Sequence, residues 1–274
     1  MQLPADELGL SFVKFGRRNG VAWIALNRPE HANSVTDALS KDALTAVRAA
    51  SQHTDVGCLV ITGIGRHFCA GADLHELNEF LAARSPTDIE PFNLREIHPL
   101  TSAIYNFPFP VVAAVNGAAT AGGLDLACAC DIRIAADSAR FGETYIRMGL
   151  PPANGGSLFL PQLVGRGMAA ELAFTGDIID ASHALGICLV NRVVPQDQLL
   201  SATGDLAERI AGWPRSALAA TKRALRHGYR QTLEDNLEEA YFMMGLLSKG
   251  EDHLEAVKAF NERRDPEFKQ RTHG

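Results

Sequence analysis

Two short stretches constrain this chain more than any others: "CAGAD" at 69–73 and "AGGLD" at 121–125. Each follows a run that reads as a buried strand, "GCLVITG" (57–63) and "FPVVAAVNG" (109–117). Each then opens a segment with helical spacing. Strand, small-residue loop and helix in succession is the building unit of an α/β fold. Small residues let a ligand approach the backbone closely. A helix N-terminus adds unpaired N–H groups and partial positive charge. A tight turn alone explains one such loop. Two of the same design can aim two N–H groups at one oxygen and form an oxyanion hole. Neither loop carries the G-x-x-x-x-G-K-[ST] or G-x-G-x-x-G pattern, so phosphate-loop and dinucleotide fingerprints are absent.

The rest of the chain alternates in the same way. "GVAWIALN" (20–27) reads as a strand, "RPEHANSV" as a turn or loop, and Thr36 as the N-cap of an amphipathic helix over 37–50. "IGRHFCAGADL" (64–74) is a loop entering a helix, with Asp73 near its start. The polar, proline-containing segment 83–93 reads as a surface loop. "AATAGGLDLACACD" turns and becomes a helix, and "IRIAAD" (132–137) is a strand. After "LPPANGG" the spacing is helical over 166–175, 196–213, 214–227, 232–247 and 250–262, with a break at Trp213-Pro214. This divides the chain into an α/β core, 1–197, and a C-terminal helical region, 198–274.

A net charge of −6 argues against nucleic acid as a partner, because phosphate binding needs a basic stripe. No run of about 18 apolar residues is present, so no membrane span is expected. The start "MQLPADELGL" has no basic n-region, so a secretory signal is not expected and the expected compartment is the cytoplasm. Five cysteines, an odd number set mostly in apolar runs, read as buried free thiols. Cys128 and Cys130 form a C-x-C with no second Cys/His pair, so no metal site is expected.

Asp125 lies three residues after Gly122, on the same helix face. If the Gly122 N–H points into a site, the carboxylate points there too. Its neighbours Leu124, Leu126, Ala127 and Cys128 are apolar, which favours a buried acid of raised pKa over a solvated one. The stretch "ARFGETYIRMGLPP" (139–152) reads as a strand end turning into a site, with Glu143, Tyr145 and Arg147 close together.

The stretches "VAWIALNRPEHANSV", "LVITGIGRHFCAGADLHEL", "FPFPVVAAVNGAATAGGLDLACACDIRIAADSARFGETYIRMGLPPANGG", "LAFTGDIIDASHALGICLVNRVVP" and "EAVKAFNERRDPEFK" together identify a resemblance. Over nearly its whole length the chain resembles the enoyl-CoA hydratase/isomerase (crotonase) superfamily. The resemblance implies an α/β, crotonase-like spiral of ββα repeats with a C-terminal helical region, assembled as a homotrimer or a dimer of trimers. It implies acyl-CoA substrates whose thioester oxygen sits between the N–H groups of Ala72 and Gly122. It places CoA along His31, Ala32, Ala70, Gly71 and Ala72, with Asp73 and Leu74 near the adenine. Phe260 and Arg263 match positions that help hold CoA, with ordinary helix packing and a solvated charge as the alternative. The His31 side chain itself reads as an exposed loop histidine. CoA is a substrate handle, so no separate cofactor is implied.

The resemblance also marks a departure. Family hydratases hold one water with two glutamates. The first maps to Asp125, one methylene shorter, and the second maps to Tyr145. A phenol with a pKa near 10 is a poor base at neutral pH. Glu143 stands two residues earlier. If 143–145 is extended, Glu143 and Tyr145 share a side; if a helix starts at 143, they oppose each other. The preferred reading of the residues alone is that Glu143 caps or salt-bridges its segment, for example with Arg147. Hydration of a 2-enoyl-CoA is the default expectation. Isomerisation, decarboxylation or thioester hydrolysis by Asp125 alone, or acyl-CoA binding without catalysis, are the alternatives. Acyl-chain selection is expected from the 75–100 loop and the helical segments.

Overall fold

The computed structural model describes residues 2–83, 85 and 94–268. Strands β1 (Val13–Arg18) and β2 (Val21–Leu26) form an antiparallel hairpin across Asn19-Gly20. Both turn residues have positive φ, 52° and 76°, as a two-residue hairpin loop requires. Helix α1 (Asp37–Gln52) follows, and Thr36 caps it by accepting from the Leu39 N–H at 3.1 Å. Next come β3 (Cys58–Gly63), α2 (Leu74–Ala83), α3 (Leu94–Tyr105), β4 (Val111–Val115), β5 (Ala118–Thr120) and α4 (Gly122–Ala129). Then follow β6 (Ile132–Ala136), β7 (Arg140–Gly142), α5 (Gly156–Val164), α6 (Arg166–Thr175), β8 (Ile178–Asp180), α7 (Ala181–Gly186) and β9 (Arg192–Val194). The chain ends in α8 (Leu199–Ala211), α9 (Arg215–His227), α10 (Leu233–Leu247) and α11 (Glu251–Glu262). The segment 83–93, read as a loop, lies outside the described residues except for Ala83 and Ser85. The stretch 75–100, treated above as one loop, is helical at both ends, as α2 and the start of α3.

The large sheet has the order β1-β2-β3-β4-β6-β9 and is parallel from β2 onward. Its inner strands are buried on both faces, which is why β3 and β4 read as continuous apolar runs. A second sheet, β5-β7-β8, runs beside it. Single parallel bridges, Val35 to Ala72 and Cys69 to Ala119, extend this second layer. The chain therefore climbs by a repeating step: a long strand in the first sheet, a short extended piece in the second, then a helix. Leaving β4 it passes β5 into α4; leaving β6 it passes β7 and then α5. Both small-residue loops sit at this second layer, stacked on each other.

One face of the large sheet packs against α1, α3 and α4. The other face, with Trp23, Val60, Val112 and Ile134, packs against Leu199, Leu206, Ala207 and Ala211 of α8. The first helix after residue 197 is thus physically part of the core. Helix α9 is tied down by Lys222, whose ammonium donates to the Phe109 carbonyl at 2.8 Å and pairs with Asp131 at 2.7 Å. Arg226 also pairs with Asp131 at 2.7 Å and lies 3.8 Å over the Tyr105 ring. Helices α10 and α11 instead present large apolar side chains to solvent, among them Tyr241, Phe242, Leu246 and Leu254.

Candidate active site

The two glycine loops touch. The Thr120 N–H donates to the Cys69 carbonyl at 3.1 Å, and the Thr120 hydroxyl donates to the Ala70 carbonyl at 3.0 Å. Helix α4 approaches so closely that a Cβ on Gly123 would fall 2.8 Å from the Cys69 Cβ and nearer still to its carbonyl oxygen. Only glycine permits that contact. Ala121, the residue before α4, has φ 46° and ψ −123°, and its N–H donates to the Gly142 carbonyl at 2.9 Å. A non-glycine residue held there stores about 1–3 kcal/mol of backbone strain, a cost that clusters at functional sites. Gly71 stands against the Gly122 amide: a Cβ there would lie 3.5 Å from the Gly122 nitrogen.

Ala72 is fixed from below. The Val35 N–H donates to the Gly71 carbonyl at 2.7 Å, and the Asp73 N–H donates to the Val35 carbonyl at 3.1 Å. Ala72 itself is exposed between them. Among the described residues, neither the Ala72 nor the Gly122 amide donates to a protein acceptor. Two backbone donors are thus left open on adjacent loops, and an oxyanion hole is built from two such donors.

Asp73, expected near an adenine, is a buried helix cap. Its Oδ1 accepts from the His75 and Glu76 N–H groups at 3.0 and 3.2 Å. Its Oδ2 accepts from Arg28 at 3.0 Å and Ser34 at 2.9 Å. Burial raises the carboxyl, but these donors outweigh it and hold the pKa at about 2. Leu74 is 57% exposed and His31 is exposed. The Ala70 N–H donates to the Ala32 carbonyl at 3.1 Å, so the "PEHAN" turn and the first glycine loop form one ledge. Phe260 is 83% exposed on α11, and Arg263 ends that helix with φ 54°. Among the described residues, neither makes a hydrogen bond or ion pair with the Ala72–Gly122 region in the single chain.

Asp125 is buried on α4, one turn into the helix. Its Oδ2 accepts from the Tyr145 hydroxyl at 2.8 Å and the Asn154 N–H at 3.2 Å, while Oδ1 has no partner. Burial pushes its pKa up; the Tyr145 hydroxyl and the Asn154 and Gly156 amides pull it partly back. Tyr145 also stands against Gly122, since a Cβ there would meet its hydroxyl at 3.4 Å and the Ile97 Cδ1 at 3.8 Å. Burial and the neighbouring carboxylates push the phenol far above its usual range, so Tyr145 is a donor and not a base.

Glu143 corrects the preferred reading. It makes no salt bridge to Arg147 and no cap hydrogen bond, although it stands at the N-cap of the 3-10 turn Thr144–Met148. Its backbone, φ −86° and ψ 69°, is neither extended nor helical, so neither alternative for 143–145 applies. The side chain is 1% exposed, and neither carboxyl oxygen has a partner. A Cβ on Gly156 would lie 2.6 Å from Glu143 Oε1 and closer still to Asp125 Oδ1. The two carboxyls therefore flank one point behind the site. Burial first, and then the Asp125 charge, raise the Glu143 pKa.

Asn154 and Gly156 were not legible as site residues. The string "PPANGG" signals a turn, and nothing in it says that the Asn154 amide faces a carboxylate. Cys58, Cys69, Cys128 and Cys130 are buried free thiols, and Cys188 is exposed. Among the described residues no cluster of His, Cys, Asp and Glu could hold a metal ion, and no helix is long and apolar enough to cross a membrane.

Residues 16–271 match the family model described as "Enoyl-CoA hydratase/isomerase". The chain is 35% identical over 255 residues to the 2,3-dehydroadipyl-CoA hydratase of Escherichia coli, covering 93% of this chain and 97% of that protein. It is 33% identical over 259 residues to the 1,2-epoxyphenylacetyl-CoA isomerase of the same organism, covering 94% and 98%. The crystal structure of an enoyl-CoA hydratase from Bacillus anthracis superposes with a TM-score of 0.87 at 32% identity, over 95% of this chain and 100% of that one. The α/β spiral with its C-terminal helices is common to both structures.

Proposed function

This chain belongs to the enoyl-CoA hydratase/isomerase family and is an acyl-CoA-transforming enzyme; we propose that its reaction is the hydration of a 2-enoyl-CoA with Asp125 as the one ionised acid/base. What supports this reading is a buried carboxylate on α4, two open backbone amides on touching loops, and Tyr145, whose hydroxyl bonds Asp125 and stands against Gly122.

In this reading the thioester oxygen accepts hydrogen bonds from the Ala72 and Gly122 amides. Asp125 takes a proton from water as the water oxygen bonds to Cβ. The alkene electron pair moves toward the thioester, and the resulting enolate charge rests on the oxygen between the two amides. Asp125 then returns its proton to Cα, which adds one water in all and restores the carboxylate. The hydrogen bonds from Tyr145 and Asn154 both reach Oδ2, so Oδ1, with no hydrogen-bond partner within reach, keeps lone pairs for the proton. Tyr145 orients the carboxylate and supports its anionic form.

CoA follows the ledge built from His31, Ala32, Ala70, Gly71 and Ala72, past the exposed Leu74, and the reaction needs no cofactor beyond the CoA its substrate carries. A homotrimer, or a pair of trimers, is supported by the apolar faces of α10 and α11, and would give Phe260 and Arg263 a site to complete. A cytoplasmic enzyme fits this chemistry.

Isomerisation is the second reading, favoured by Tyr145 in place of a second carboxylate, because one base suffices to move a proton along an acyl chain. A turnover panel separates the two. Loss of the enoyl-thioester absorbance with crotonyl-CoA and longer 2-enoyl-CoAs supports hydration. Turnover restricted to 3-enoyl-CoAs supports isomerisation and refutes hydration, and binding of both without turnover refutes catalysis.

A further inference from the structure

Glu143 is the buried group that the reaction above leaves unused. It sits 1% exposed with two unpartnered oxygens, against the same Gly156 that backs Asp125 Oδ1, itself unpartnered. Isolated buried carboxylates are not tolerated side by side; like charges in one site share a proton. The surroundings decide which carboxyl carries it. Asp125 receives a hydroxyl and an amide on Oδ2, both of which stabilise an anion. Glu143 receives no donor at all.

The groups facing Glu143 offer no cation. Helix α4 brings Asp125 and Cys128, a buried thiol whose pKa is itself raised. Its own turn brings Tyr145 and the exposed Arg147, while the buried Arg133 of β6, near Cys128, spends its guanidinium on the Leu189, Ala127 and Cys130 carbonyls. Helix α5 holds no titratable residue, and Arg166 and Glu171 of α6, which packs on the turn, are exposed, as are Arg140 of β7 and Asp180 of β8.

We propose that Glu143 is a positioning residue that carries a proton at neutral pH and, acting on Asp125 Oδ1 directly or through one buried water, keeps Asp125 the single anion of the site. This rests on Asp125 being the working carboxylate. It assigns the pair one negative charge between them, with the proton on the carboxyl that no donor reaches. Ionising Glu143 at alkaline pH puts a second charge against Asp125 and disturbs its alignment with the oxyanion amides. Glu143→Gln keeps the shape and the neutral donor, so it reproduces the protonated state and is indifferent to pH.

The test is a pH titration by difference infrared spectroscopy, following the carbonyl stretch of protonated carboxyls in the unliganded enzyme. The wild type is expected to keep one such band at neutral pH, well above the range of an ordinary glutamate near about 4.3. Glu143→Gln is expected to lack it. Asp125→Asn is expected to keep it, titrating at lower pH because the neighbouring charge is gone. A wild-type band that vanishes in the ordinary range, or one that survives in Glu143→Gln, overturns the assignment. Should Glu143→Gln not fold, the wild type and Asp125→Asn decide alone. Where turnover is found, Glu143→Gln should retain activity within about threefold at neutral pH and lose the alkaline fall in kcat/KM, whereas Glu143→Ala should lose about 100-fold, the low end of an acid/base contribution. An alkaline limb unchanged in Glu143→Gln counts against the proposal. The infrared readout needs no substrate, so absence of turnover with the band present refutes hydration and leaves this assignment standing.

Discussion

Gly156→Ala is the most economical perturbation of the site. The new methyl would stand 2.6 Å from Glu143 Oε1 and closer to Asp125 Oδ1, against ordinary contacts of 3.4–4 Å. Both carboxyls must retreat by about 1 Å, and a displacement of that size at a reacting group can cost about 10²-fold in rate. Asp125 cannot retreat and keep its 2.8 Å bond to Tyr145 and its 3.2 Å bond to the Asn154 amide. Forcing a methyl into a packed site costs about 1–3 kcal/mol of stability. The expected result is a kcat reduced by about 100-fold, a lowered Tm and little change in acyl-CoA affinity, because the residues proposed to carry CoA are untouched. Gly167→Ala is the control: nothing lies within 4 Å of its Cβ, and it sits inside α6, where alanine is preferred by about 1 kcal/mol. Activity and stability of Gly156→Ala equal to those of Gly167→Ala would refute the reasoning that Asp125 is held by its back wall.

Two further outcomes follow from the same geometry. Asp73 is held at about 2 against a usual 3.8, and at about 1.4 kcal/mol per pKa unit this contributes about 2 kcal/mol. Its folded pKa is depressed, so the contribution is present above pH 4 and is lost as pH falls through about 2. Asp73→Asn should be about 2 kcal/mol less stable at pH 7 by denaturant titration, with the gap closing toward pH 2; a gap that does not change with pH counts against the capping network. Tyr145→Phe removes a donor that lowers the Asp125 pKa, so the acid limb of kcat/KM should move to higher pH and the neutral rate should fall by about tenfold to 100-fold. An acid limb left in place would show that Tyr145 does not act on Asp125.

The large elements were legible because their signals are local. The apolar runs of β3 and β4, the Thr36 cap and the periodicity of α6 and α8–α11 need no knowledge of the rest of the chain. Strand β1 was missed although Asn19-Gly20, a strong hairpin signal, stands just before β2. Strand β7 was anticipated only as a strand end in "ARFGETYIRMGLPP", and β5, β8 and β9 were missed, because three residues each carry no period and their pairing is long-range. The two glycine loops were legible as a pair, since a strand, a small-residue loop and a helix start are all local features. The Glu143 orientation was not. It depends on a 3-10 turn beginning at Thr144 and on Gly156 arriving from α5, and neither is encoded near residue 143.

Kinetics of Asp125→Asn with crotonyl-CoA, set beside acyl-CoA affinity measured by calorimetry, test the central claim most directly. The amide keeps the shape of the side chain and removes its base, while the Ala72 and Gly122 amides remain. The account predicts acyl-CoA binding within about threefold of wild type and a kcat lower by at least about 10³-fold, within the range of acid/base contributions. Turnover within about tenfold of wild type would contradict it.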